Sequence, residues 1–183
     1  LLCDALRTEA LTYFGLEKNQ ATHHEMEVMY GEVFQAYMEK GVELELLDAE
    51  LLNYDLDRLG AALKGERDQQ FTYLGLQTLY DRYFIHTDGV RIELPQIFFM
   101  RVAMGLAINE GAIDGNDRES RAIEFYNLLS SFDFMSSTPT LFNSGTLRPQ
   151  LSSCYLTSVP DNLDGIYGSL RDNALLSKFA GGL

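Results

Sequence analysis

Cys154 stands in Leu151-Ser-Ser-Cys154-Tyr-Leu-Thr157, where apolar residues alternate with hydroxyls as they do along a strand. A thiol among Ser152, Ser153 and Thr157 is placed to meet a polar substrate, although no His or Lys stands close in sequence to lower its pKa. Read by itself, a lone cysteine on a strand is more often a small buried apolar residue. Upstream, Thr138-Pro-Thr-Leu-Phe-Asn-Ser-Gly-Thr146 sets hydroxyls and backbone amides on a loop turned by Pro139 and Gly145. Such a loop can surround a polar ligand with hydrogen bonds and no charge. Pro160-Asp161-Asn162-Leu163 is a turn whose Asp161 and Asn162 cap a final helix from Leu163 to about Phe179. His23-His24 has no carboxylate–His spacing that suits a metal and reads as a helix start. No phosphate-binding Gly-rich loop or GxGxxG turn is present, which leaves a free-standing kinase or dehydrogenase unsupported.

The elements before these residues read as helices. Thr22-His-His-Glu25 has the form of a capping box and opens a helix toward Lys40, with Gly41 as its stop. Met26, Met29, Tyr30, Val33, Phe34 and Tyr37 give it a 3/4-spaced apolar face. A second helix is expected from Asp55 to Leu63, ended by Gly65, and an apolar one with an aromatic face over Phe71–Tyr80. Phe71, Tyr73, Tyr80, Tyr83 and Phe84 mimic a radical-transfer chain, but their spacing is that of helix core. Tyr83–His86 and Val90–Glu93 form a hairpin through Asp88-Gly89, a pair suited to positive φ. Pro95 fits the first position of a helix running to Asn109, with Gly111 after it, apolar nearly all round and interrupted by Arg101. Asn116-Asp-Arg-Glu119 is a second capping box, starting a helix toward Phe132. A strand, a turn and a helix after Met135 suggest the first unit of a β/α assembly.

The chain has 183 residues and a formal charge of −13 from 14 bases and 27 acids, which argues against a surface built for nucleic acid or anionic lipid. The acidity is local. Ten acids and one base (Lys40) fall between Glu25 and Asp57, a stretch expected to be a solvated face. Cys3 and Cys154 are too few for a disulfide framework or a four-ligand zinc site, and a bridge between them is disfavoured. No secretory leader or run of roughly 20 apolar residues is seen, so a cytoplasmic protein that binds neither membrane nor nucleic acid is expected. Residue 1 falls inside a helical pattern and the chain stops at Ala180-Gly-Gly-Leu183 without a polar tail, so an internal segment of a longer protein is expected.

Thr138-Pro-Thr-Leu-Phe-Asn-Ser-Gly-Thr146 with Leu151-Ser-Ser-Cys-Tyr-Leu156 resembles the opening of the catalytic barrel in the large (α) subunit of ribonucleotide reductases. Arg67-Asp-Gln-Gln-Phe-Thr-Tyr-Leu-Gly-Leu-Gln-Thr-Leu-Tyr80, Asp81-Arg-Tyr-Phe84 and Glu93-Leu-Pro-Gln-Ile-Phe-Phe-Met-Arg-Val-Ala-Met-Gly105 are similar to class I members. The resemblance is close over residues 66–183 and loose over 1–65. It implies a mainly α chain: an N-terminal helical domain over 1–135, then over 136–183 the first strand and helix of the ten-stranded α/β barrel, truncated.

The resemblance further implies that Cys154 is one of two thiols oxidised to a disulfide as the ribose 2′-carbon is reduced, with its partner cysteine absent from this chain. Thr138, Ser153, Cys154 and the backbone at Gly181 are implied in holding the ribonucleoside diphosphate. Asp161, Asn162 and Leu163 fall where the family binds a deoxynucleotide (dNTP) specificity effector. Asp161 there accepts from the sugar hydroxyl, because Asp161 and Asp164 would repel a phosphate. The radical-bearing cysteine, the C-terminal shuttle cysteines and most of the barrel are not in the sequence, and the ATP-sensing cone domain is missing or represented only by the last residues of its final helix near Leu1, so the segment alone is expected to be inactive. No metal is expected in this chain; the metal and radical cofactor belong to a separate small (β) subunit. Thioredoxin or glutaredoxin is the implied reductant and a homodimer the implied assembly. Two alternatives remain open from the sequence: an adenosylcobalamin-dependent (class II) reductase, and a non-catalytic helical interaction module with an acidic docking face.

Overall fold

The computed structural model describes residues 2–16, 22–110, 117–178 and 181–182. At its centre is α5, Pro95–Ala107, in which residues 95–104 and Ala107 are all buried. A helix that is apolar around its whole circumference is stable in water only when other elements cover every side. Here α6 (Arg118–Ser130) runs along it and a 3-10 turn at Gly65–Gln70 packs against it, while α2 (His23–Glu43) packs on that turn and on α3 (Leu56–Ala61), which in turn meets α6. Outside these lie α1 (Leu2–Tyr13), α4 (Tyr73–Arg82) and a hairpin of β1 (His86–Thr87) and β2 (Val90–Arg91). The hairpin is antiparallel, with His86 opposite Arg91, and both turn residues, Asp88 and Gly89, have positive φ. Then follow α7 (Thr138–Asn143) and α8 (Leu163–Lys178). The chain is mainly helical, and among the described residues no helix is long and apolar enough to cross a membrane.

The local signals in the sequence explain most of these boundaries. The capping box of α2 is formed in both directions: Thr22 N donates to Glu25 Oε2 at 2.9 Å and Glu25 N to Thr22 Oγ1 at 3.3 Å. The helix does not stop at Gly41 but runs on to Glu43. Gly41 is small for packing, because a Cβ there would strike the Leu47 side chain as the chain folds back over it. Pro95 does sit in the first turn of α5, whose end at Ala107 falls short of Asn109; Gly111 lies outside the described residues. The cap of α6 is Asp117, which accepts from Ser120 N at 2.6 Å, one residue later than the Asn116 box; Asn116 lies outside the described residues.

Three expectations need correction. The buried side chains of α4 are Leu76 and Leu79, while Tyr73 is two-thirds exposed, so its aromatics are not all core. The Thr138–Asn143 stretch is a helical turn and a half, not an open loop, with Pro139 in its first turn. Leu151–Val159 is extended but forms no strand, only one isolated parallel bridge between Cys154 and Gly182. A strand exists by pairing, and among the described residues no neighbour runs beside this one for more than that bridge. The ten acids between Glu25 and Asp57 all lie outside the buried set, as a solvated face requires. His24 is exposed and pairs with Glu27 at 3.2 Å.

Candidate functional site

The site is built on the charged residue that interrupts the apolar run of α5. Arg101 is fully buried, and its Nε donates to Glu93 Oε1 at 2.6 Å while Nη2 donates to Oε2 at 3.2 Å. Glu93 also accepts from Tyr37 Oη at 2.6 Å and from Ile85 N at 3.0 Å, so both oxygens are satisfied. Burial works against a charge on Arg101, but the Glu93 carboxylate outweighs it and raises the guanidinium pKa. Burial, reinforced by the same carboxylate, pushes the Tyr37 phenol well above its ordinary value. The pair is therefore ionic, with a neutral phenol beside it.

The outer edge of that guanidinium faces α7. Arg101 Nη1 donates to Ser144 O at 2.6 Å and more weakly to Phe142 O at 3.5 Å, and Nη2 donates to Leu141 O at 3.2 Å. Ser144 Oγ donates back to Val102 O at 2.7 Å. Helix α5 and the segment after α7 touch where both lack side chains: a Cβ on Gly105 would collide with the Gly145 nitrogen, and Gly145 itself has φ +76°. On the other face of α7, the Phe142 ring stacks on Tyr83 at 4.6 Å, and Tyr83 Oη lies 3.1 Å from Thr138 Oγ1.

Above α7 a cleft of about 870 Å³ opens, lined by Thr138, Asn143, Arg148, Gln150, Ser153 and Lys178 among others. Its polar groups are mainly hydroxyls and amides, with two bases and no acid in the lining. Asn143 Nδ2 donates to Gln150 O at 2.8 Å and Thr140 Oγ1 to Leu151 O at 3.1 Å, which ties the 148–153 wall to α7. Thr138 and Ser153 thus share one cleft. Cys154 follows on from Ser153, exposed, with Ser153 Oγ 3.6 Å from its sulfur. Gly182 N donates to Ser153 O at 2.8 Å and Tyr155 N to Gly182 O at 2.9 Å, so the backbone beside Gly181 lies along the cysteine.

Asp161, Asn162 and Leu163 stand elsewhere. Asn162 caps α8, its Oδ1 accepting from Gly165 N at 2.8 Å. The 16 residues of α8 span about 24 Å, so this turn and Gly181 lie at opposite ends of one helix. Asp161 and Leu163 are exposed at that far end.

Cys3 is chemically unlike Cys154. Burial and the Asp68 carboxylate push its thiol up to about 11, and the two cysteines are not bridged. Among the described residues no group of three or more His, Cys, Asp or Glu side chains converges. Sequence reading offered Asn143 only as part of the Thr138–Thr146 loop and did not single out Gln150, the placing of Arg148 and Lys178 in the cleft wall, or the Glu93–Arg101 floor below. A legible signal existed for the floor alone: an arginine inside an all-round apolar helix requires a buried acid.

Residues 69–149 match the sequence profile of the ribonucleotide reductase all-alpha domain. The ribonucleoside-diphosphate reductase subunit alpha of Chlamydia trachomatis is 50% identical over the whole chain, and that of Helicobacter pylori 46% over 83% of it. The ribonucleoside-diphosphate reductase large chain of Schizosaccharomyces pombe is 44% identical over 69% of it. The chain spans 16%, 18% and 15% of the length of these three relatives. Matched on both its helical core and its hydroxyl-rich cleft, the chain belongs to the family of ribonucleotide reductase large subunits.

Proposed function

We propose that this chain is the part of a ribonucleoside-diphosphate reductase large subunit that supplies one wall of the substrate site and one of its two reducing thiols. On this reading, residues 136–183 open the catalytic barrel on a helical domain of residues 1–135. Thr138 and Ser153 hold the ribonucleoside diphosphate by hydrogen bonds, with the backbone at Gly181 close against it. Cys154 and a second cysteine outside this chain each give up one hydrogen atom equivalent. The C2′–OH bond of the ribose is replaced by C2′–H, the hydroxyl leaves as water, and the two sulfurs join as a disulfide. A dithiol protein such as thioredoxin or glutaredoxin then reduces that disulfide by exchange. The radical that starts the reaction is supplied by the metal centre of a separate small subunit.

The observation that carries this reading is the single edge made by Ser153, Cys154 and Gly182 at the lip of the cleft containing Thr138. An exposed thiol beside a wall of neutral donors and two bases suits a phosphorylated sugar whose ribose must reach sulfur. The far end of α8, at Asp161, Asn162 and Leu163, is read as the contact for a deoxynucleotide effector in a homodimeric cytoplasmic enzyme. In an intact large subunit carrying this sequence, Thr138→Val should weaken ribonucleoside diphosphate binding about tenfold, the loss of one well-made hydrogen bond. Unchanged affinity would remove Thr138 from the site. Asp161→Ala should weaken deoxynucleotide binding and leave substrate affinity intact.

A further inference from the structure

Helix α7 has six residues, too few to hold itself in helical form, and its last carbonyls have no partner within the helix. Arg101 meets that need from below: one guanidinium accepts none and donates to the carbonyls of Leu141, Phe142 and Ser144. A buried cation at a helix C-terminus also opposes the partial negative charge there. Glu93, in the turn just before α5, and Tyr37, on α2, keep the guanidinium ionised and oriented from the core side. The other end of the same helix carries Thr138, and its last residue is Asn143, both in the cleft wall.

A second buried polar cluster provides the contrast. Asp68 accepts from Tyr30 Oη at 2.6 Å, Gln96 Nε2 at 2.8 Å and Arg7 Nη2 at 3.4 Å, and Tyr126 Oη donates to Gln96 Oε1 at 2.8 Å. It is as deeply buried as the Glu93–Arg101 pair, but its partners all belong to the helical core and none to residues 138–153. Asp68 is therefore a control whose loss burdens the core without touching residues 138–153.

We propose that Arg101 is a positioning residue for the substrate cleft: through the carbonyls of Leu141, Phe142 and Ser144 it sets α7, and with it Thr138 and Asn143, in the geometry that receives a ribonucleoside diphosphate. The ligand in this statement rests on the function proposed above; the setting of α7 does not. The test compares Glu93→Gln/Arg101→Met, which removes both buried charges together, with Asp68→Asn, in the intact large subunit. Amide hydrogen exchange is read at Leu141, Ser144 and Thr146, and KM and kcat for the diphosphate are read in parallel. The double variant should exchange at least tenfold faster across 141–146 and raise KM about tenfold with kcat within about twofold. Asp68→Asn should lower thermal stability and leave both readouts as in the parent. Arg101→Lys, which keeps the charge but cannot span three carbonyls, should fall between, and it carries the same readouts if the double variant does not fold. Unchanged exchange at 141–146, or an equal KM rise in Asp68→Asn, overturns the proposal. If the parent binds no ribonucleotide at all, the reading of the cleft falls, and the exchange data alone decide whether Arg101 sets α7.

Discussion

Arg101 and Glu93 meet at 2.6 Å with neither side chain reaching solvent, eight residues apart on either side of the Pro95 helix start. One end of this ion pair faces the helical core through Tyr37, and the other faces the α7 carbonyls below the cleft. The consequence is that the core and the cleft share one buried charge pair.

Removing only one partner should be far worse than removing both. Arg101→Met leaves the Glu93 carboxylate buried without its counter-ion, a cost of about 3–5 kcal/mol. The additional change Glu93→Gln should recover a large part of it. Urea unfolding of the single and double variants measures the difference, and additive losses would contradict it.

The approach of α5 to the segment after α7 depends on the missing side chain at Gly105. Gly105→Ala sets a methyl against the Gly145 nitrogen and Ser144 Oγ; Ser144 Oγ is bonded to Val102 O, and the Gly145 carbonyl accepts from Asp48 N. A destabilisation of about 1–3 kcal/mol is expected, as for an overpacked core. Calorimetry checks it; a neutral effect would mean that residues 144–146 shift freely.

The cap of α6 gives a defined acid limb. Hydrogen bonds from Arg58 and Ser120 hold the Asp117 carboxyl down at about 2, against an ordinary 3.8. Because the folded state holds the proton more weakly than the unfolded one, this contribution is complete above about pH 4. It is lost as the pH falls from there toward 2. In Asp117→Asn the urea midpoint should vary less over that interval than in the parent. An identical acid limb would assign the loss to other carboxylates.

The two cysteines should differ in reactivity. With its thiol pushed up to about 11, Cys3 is about one part in a thousand thiolate at pH 8, and it is also half-buried. Cys154 is exposed. Alkylation followed by peptide mass spectrometry should label Cys154 first and Cys3 only on unfolding; the reverse order would contradict the placement.

Much of the helical architecture was legible because local signals and periodicity agreed. The Thr22–Glu25 box, Pro95 at a helix start, the Asp88-Gly89 turn and the Met26–Tyr37 face each state one physical requirement and meet it locally. The failures came where packing or pairing with another segment decides. Gly41 reads as a helix stop and is a packing contact for Leu47. Thr138–Asn143 has loop composition and is held helical by Arg101, which is 37 residues or more away in sequence. Leu151–Val159 has strand alternation and, among the described residues, one bridge with which to pair. The thiol and hydroxyls of the cleft were legible as residue types, but their common edge with Gly182 was not, because chain reversal through α8 creates it.

The most direct measurement concerns Cys154. In an intact large subunit carrying this sequence, assayed with its small subunit and a dithiol reductant, Cys154→Ser should abolish sustained reduction of ribonucleoside diphosphates. Cys3→Ser should leave turnover unchanged. Parent-like multiple turnover by Cys154→Ser would contradict the assignment of this thiol as half of the reducing pair.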